Sequence, residues 1–230
     1  MGLFVSFEGT EGSGKSTQLA LLAKRVADHG HEVISLREPG GTPIGEEIRH
    51  LLKHSAANAG MCPETELLLM NASRAQLVRE VIRPALAEGK AVLCDRFFDS
   101  TLAYQVFGRC LDGTLAQRII DYAIGDTLPD LTLLLRVPLE VSEARRAGRN
   151  SGVRDRMEEE NRAFFLRVEQ GYDAIASNTA TRVRTIDATQ TVEQVAEEIW
   201  KWVAPLITVP TAQGDRAWKT VGEYRNEAPG

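Results

Sequence analysis

Apolar and polar positions along the chain switch between two periods. Short, nearly unbroken apolar runs at 3–7, 33–36, 91–94, 131–137 and 183–186 predict buried strands. Between them the apolar residues fall at helical spacing, as at Leu19, Leu22, Ala23, Val26 and Ala27. This predicts a helix beginning near Gly14 and stopped by Gly30, and another over 44–53. A long helix should run from Pro63 towards Ala87, with further helices around 99–107, 114–124, 139–147, 157–176 and 192–203. Residues 54–62 and 148–155 read as loops. Strands alternating with helices imply parallel βαβ units, hence an α/β fold whose sheet is covered on both faces. Residues 1–205 read as one domain, and the polar stretch 206–230 as an extension without assignable chemistry.

Composition narrows the classes. A formal net charge of -5 with 26% charged residues lacks the basic footprint of a general nucleic-acid binder. No run of about 20 apolar residues is present, so no membrane partner is expected. The first residues lead straight into a strand pattern without the features of a signal peptide, and the expected location is the cytoplasm. Cys62, Cys94 and Cys110 have neither disulfide nor zinc spacing, and Cys94, inside an apolar run, reads as a buried core residue.

The chemistry begins between the first strand and first helix. Gly9-Thr10-Glu11-Gly12-Ser13-Gly14-Lys15-Ser16 fits the phosphate-binding loop pattern G-x-x-x-x-G-K-[ST] in the context that motif demands. Glycines let successive backbone N–H groups curl around phosphate oxygens, and the helix N-terminus points at the same anion. Lys15 is placed to reach β- and γ-phosphates, and the Ser16 hydroxyl to hold Mg²⁺. Asp95 ends the third strand, where parallel sheets open their ligand crevice. It can orient Mg²⁺ through water or act near the attacking oxygen, and Arg96 after it can grip an acceptor phosphate. The chain has no Asn/Thr-Lys-x-Asp motif of a GTPase and no Leu-Ser-Gly-Gly-Gln stretch of an ABC-type ATPase. A small-molecule kinase remains, and it needs cations over the transferring phosphoryl group. Arg145, Arg146, Arg149, Arg154 and Arg156, broken by Gly148 and Gly152, predict such a lid at about 145–157.

Two further features concern the acceptor. Arg74 interrupts the apolar stripe Leu67, Met70, Leu77, Val78, Val81, so it either reaches the surface or lines a polar cavity. Ser100 and Tyr104, like Thr101 and Gln105, are four residues apart, which puts four hydrogen-bonding side chains on one face of a helix over 99–107.

Taken in order, Gly9 to Ser16, then Arg37-Glu38-Pro39-Gly40-Gly41-Thr42, Arg74, Asp95-Arg96-Phe97-Phe98-Asp99-Ser100-Thr101-Leu102-Ala103-Tyr104-Gln105 and Asp155-Arg156-Met157-Glu158 resemble bacterial thymidylate kinase over about residues 3–204. The resemblance implies a three-layer P-loop kinase fold with a five-stranded parallel sheet. It implies phosphoryl transfer from ATP to dTMP with Mg²⁺, in a homodimer. Gly9, Thr10, Glu11, Gly12, Ser13, Gly14, Lys15, Ser16 and Thr17 would bind ATP, with Ser16 and Asp95 serving Mg²⁺. Arg49 and Arg96 would hold the dTMP phosphate with Glu38 nearby, and Glu11 would face the 3′-hydroxyl. Arg74, Ser100, Thr101, Tyr104 and Gln105 would surround thymine. Met70 stands where the family usually has a phenylalanine stacked on the base. Lys15, Asp95 and the lid arginines Arg149, Arg154 and Arg156 would be catalytic, since the phosphate loop carries Glu11 and no arginine. A kinase for another nucleoside monophosphate or for a deoxynucleoside, and a catalytically silent nucleotide-binding regulator, stay open beside this reading.

Overall fold

The structure, a computed structural model, describes residues 2–148, 156–157 and 159–208. Five strands form the sheet: β1 (Leu3–Glu8), β2 (Val33–Arg37), β3 (Ala91–Asp95), β4 (Leu131–Arg136) and β5 (Val183–Asp187). All pairings are parallel and the order is β2-β3-β1-β4-β5. The register sets Phe7 beside Asp95, and Asp95 beside Arg37, so β1, β2 and β3 end level with one another. Their C-terminal ends open together, where parallel sheets form their ligand crevice.

Strand alternation decides which group faces which helix layer. Phe4, Val92, Cys94 and Leu134 point to one side of the sheet, into a core with α3 (Pro63–Leu77), α6 (Gly113–Ile124) and α8 (Arg162–Asn178). Val5, Phe7, Leu93, Leu133 and Leu135 point to the other, against α1 (Lys15–Asp28) and α9 (Val192–Thr208). Glu8 continues the first set and Asp95 the second, so two acids at neighbouring strand ends serve opposite layers. Cys94 is buried and its thiol is pushed up by that burial, as expected of a core cysteine.

Several helices differ from their predicted form. The helix predicted from Pro63 to Ala87 is one rod built of α3, a π-helical turn Val78–Ile82 and α4 (Arg83–Ala87). The stretch around 99–107 starts as α5 (Phe98–Thr101) and widens into a π-helical segment, Leu102–Gly108. Wider turns alter the i,i+4 geometry expected for Tyr104 and Gln105. The predicted loop 54–62 contains a 3₁₀ turn, Ala56–Gly60, with the Asn58 amide donating to Leu52 O at 3.1 Å. Helix α2 (Pro43–Lys53) is capped by Thr42, whose hydroxyl accepts from Gly45 N at 3.0 Å. Helix α7 spans Leu139–Ala147, and α8 begins at Arg162, five residues later than predicted, capped by Asn161. Helix α9 runs through Pro205 to Thr208 and so passes the boundary expected at 205.

Candidate active site

Backbone conformation builds the phosphate loop. Gly9 has φ +134°, and a Cβ there would sit 2.3 Å from Leu135 O, so only glycine lets β1 turn this close to β4. Gly14, at φ +94°, directly precedes α1 and turns its first amides towards the loop. Lys15 is buried and curls back, donating to Gly9 O at 3.1 Å and Thr10 O at 2.9 Å. Burial and the neighbouring Arg96 guanidinium lower its ammonium to about 8. Carbonyl oxygens are weak partners for a buried cation, so phosphate oxygens would be preferred.

Ser16 Oγ donates to Asp95 Oδ2 at 2.8 Å. This joins the start of α1 to the end of β3 with a hydroxyl and a carboxylate, hard oxygen donors of the kind Mg²⁺ takes. Among the described residues no three or more His, Cys, Asp or Glu side chains are grouped so that they could hold a metal ion. Two protein oxygens fit an ion whose remaining ligands are water and substrate phosphate.

Arg96 is the hub of the crevice. Its φ is +72°, a left-handed conformation uncommon outside glycine, and its N–H donates to Phe7 O at 2.9 Å. Its guanidinium donates to Gly9 O, Ser100 Oγ, Tyr172 OH, Tyr104 OH and Glu11 Oε2, all at 3.0–3.2 Å. Burial raises the Glu11 carboxyl, but Arg96, Lys15 and Lys53 outweigh it and bring it down to about 2. Behind Arg96, Glu8 accepts from Phe97 N, Ser100 Oγ and Tyr172 OH at 2.7, 2.5 and 3.0 Å. Burial and the nearby Asp99 raise Glu8 to about 7.

A cleft of about 610 Å³, open solvent included, adjoins the loop. Glu11, Glu38, Met70, Arg74, Arg96, Ser100, Thr101, Tyr104 and Gln105 all line it, despite the π-helical backbone under the last two. Arg74 resolves the alternative left by the sequence, because it is buried and lines the cleft. Its Nε bonds Glu38 Oε2 at 2.8 Å, its Nη1 bonds Asn71 and Thr101, and its Nη2 faces Glu38 and Phe97 O. Burial raises the Glu38 carboxyl against the pull of Arg74. Arg49 Nη1 donates to the backbone O of Pro39, a residue of the cleft lining, at 2.9 Å.

Pro39 and Met157, quoted from the sequence only as motif members, complete the lining with Lys53 and Phe165, which were not singled out from the sequence. Lys53 lies one helical turn beyond Arg49 on α2, a spacing that could have revealed it. Of the lid, Arg145 reaches Gly12 O at 3.4 Å and Ala188 O at 3.1 Å. Arg156 pairs with the buried Glu66. Arg149 and Arg154 lie outside the described residues.

The thymidylate kinase family model matches residues 7–199. The chain belongs to the thymidylate kinase family. Among relatives of this family, thymidylate kinase of Thermomicrobium roseum is 47% identical over 207 residues, covering 90% of this chain and 97% of its own. That of Syntrophotalea carbinolica is 44% identical over 214 residues, covering 91% and 99%. A crystal structure of thymidylate kinase from Ehrlichia chaffeensis superposes with a TM-score of 0.72 at 31% identity, covering 88% of this chain and 98% of that one. The five-stranded parallel sheet is thus that of the family.

Proposed function

We propose that this thymidylate kinase family member transfers the γ-phosphoryl group of ATP to dTMP, giving ADP and dTDP. The observation that carries the reading is the meeting of two sites at Arg96: a phosphate loop on one side, a polar base-sized cleft on the other. ATP lies with its phosphates in the loop 9–16, and Lys15 exchanges its carbonyl partners for phosphate oxygens. The dTMP phosphate lies against Arg96 and Lys53, with its sugar hydroxyl at Glu11 and its base between Met70 and the Thr101–Gln105 wall. Arg49 acts on that phosphate only by turning away from Pro39. Ser16 and Asp95 would hold Mg²⁺, which would supply positive charge to the phosphates of ATP. Arg149 and Arg154 supply positive charge over the transferring group, joined by Arg156 only when it leaves Glu66, and the cleft walls keep water from it.

Leu68 on α3 with Leu115 and Tyr122 on α6 are exposed apolar side chains on packed neighbouring helices, and they support a homodimer through this layer. No described helix is long and apolar enough to cross a membrane. The test is ADP release measured over a panel of nucleoside monophosphates. The highest kcat/KM is expected for dTMP, and a tenfold preference for any non-thymine monophosphate would contradict the assignment.

A further inference from the structure

Glu66 lies outside the cleft yet touches two things that matter to it. It is mid-helix on α3, fully buried, and one helical face carries Glu66, Met70 and Arg74 in succession. Its Oε1 accepts from Gln105 Nε2 at 2.8 Å and from Arg109 Nε at 3.2 Å. Its Oε2 accepts from Arg109 Nη2 at 3.0 Å and from Arg156. Each of its oxygens thus accepts from two N–H donors, so Glu66 presents only acceptors to its neighbours.

That restriction has a consequence for the cleft. The Gln105 amide must turn its NH₂ to Glu66, which leaves its carbonyl Oε1 as the atom offered to a bound base. The hydroxyls on this wall are already engaged: Ser100 donates to Glu8, while Thr101 and Tyr104 accept from Arg74 and Arg96 and keep a proton to give. The N–H groups of Arg74 already face Glu38, Asn71, Thr101 and Phe97. Gln105 Oε1 therefore has a locked role as acceptor, and it takes no hydrogen bond from any described residue.

We propose that Glu66 is a positioning residue that locks the Gln105 amide, so that Oε1 selects an acceptor base carrying an N–H at the facing edge. The inference rests on the reading of dTMP as acceptor. Thymine presents a ring N–H there, and uracil does too. Cytosine presents a ring lone pair beside an amine, so the locked carbonyl would meet a lone pair. Glu66→Gln removes the lock, because an amide at 66 can either donate or accept and Gln105 is free to turn over.

The experiment compares kcat/KM for dTMP, dUMP and dCMP, with ATP saturating, in the wild type, E66Q and E66D. E66D keeps a carboxylate for the arginines but withdraws it from Gln105 by one methylene. Both variants should lower the dTMP/dCMP ratio by about 10- to 100-fold, the range expected when a buried polar group no longer meets its complement. The dTMP/dUMP ratio and the KM for ATP should stay unchanged. A merely structural Glu66 would depress all acceptors alike, so an unchanged dTMP/dCMP ratio in either folded variant overturns the proposal. A wild type that does not use dTMP overturns the functional reading itself, and this inference with it. The wild-type protein alone gives a further readout by NMR. Slow solvent exchange of the Gln105 Nε2 protons is expected, and fast exchange of both refutes the lock even if neither variant folds.

Discussion

Glu38 and Arg74 form a buried pair whose two members also wall the cleft. Arg74→Ala leaves the Glu38 carboxylate without its cation, which costs about 3–5 kcal/mol of stability for a pair this deep. It also raises the KM for dTMP, since Thr101 loses its partner on the cleft wall. Denaturant unfolding and steady-state kinetics of the one variant check both effects, and an unaltered unfolding midpoint refutes the structural half. Glu8 gives a pH dependence at the same scale. Its carboxyl is raised from 4.5 to about 7, so the folded state holds a proton there that the unfolded state has lost. The stability it contributes is complete below about 4.5 and is lost as pH rises through about 7. Glu8→Gln keeps a neutral group in the same space, so its unfolding free energy should gain on the wild type between pH 5 and pH 8. A difference that stays constant across that range would show that Glu8 does not titrate there.

Among the elements, all five strands were legible because strands buried on both faces read as apolar runs. The phosphate loop was legible because its chemistry is contiguous in sequence. Less local features were not. A π-helical turn such as Val78–Ile82 differs from an α turn by one residue, too little for a periodicity to resolve over five positions. Glu8 and Tyr172 are 164 positions apart and meet only because α8 packs on the Leu102–Gly108 segment, so neither looked functional alone. That packing depends on Gly171, where a Cβ would sit 2.9 Å from Phe107 Cγ and 3.0 Å from Ala103 Cα. Gly171→Ala should push α8 off the segment at a cost of about 1–3 kcal/mol. It should raise the KM for dTMP as well, because Tyr172 is the next residue. Thermal unfolding measures the first effect, and wild-type stability in this variant would mean the contact yields without strain.

At the scale of the whole molecule, the phosphate loop carries one side-chain cation, Lys15, and the proposed reaction draws further charge from the arginines of 145–157. Alanine at one of Arg149, Arg154 and Arg156 should therefore lower kcat by roughly 10³-fold or more with little change in either KM, as for an interaction made only in the transition state. Kinetics of the three single variants decide it. If all keep wild-type kcat, the charge on the transferring group is met from elsewhere.

The strand order has a consequence for how the chain comes into being. Central strand β1 precedes both of its neighbours, and Ser6 waits for a side-chain partner, Thr132, 126 positions later. At a ribosomal pace of about 5–20 residues per second, that interval lasts roughly 6–25 s. Until β3 is made the nascent chain exposes Phe4, Val5 and Phe7 on an unpaired strand, and from then until β4 that strand still lacks one neighbour. The segment that later cradles phosphate is thus first a client for whatever shields sticky chains at the exit tunnel, and an mRNA that slows translation before β4 should raise the fraction lost to aggregation.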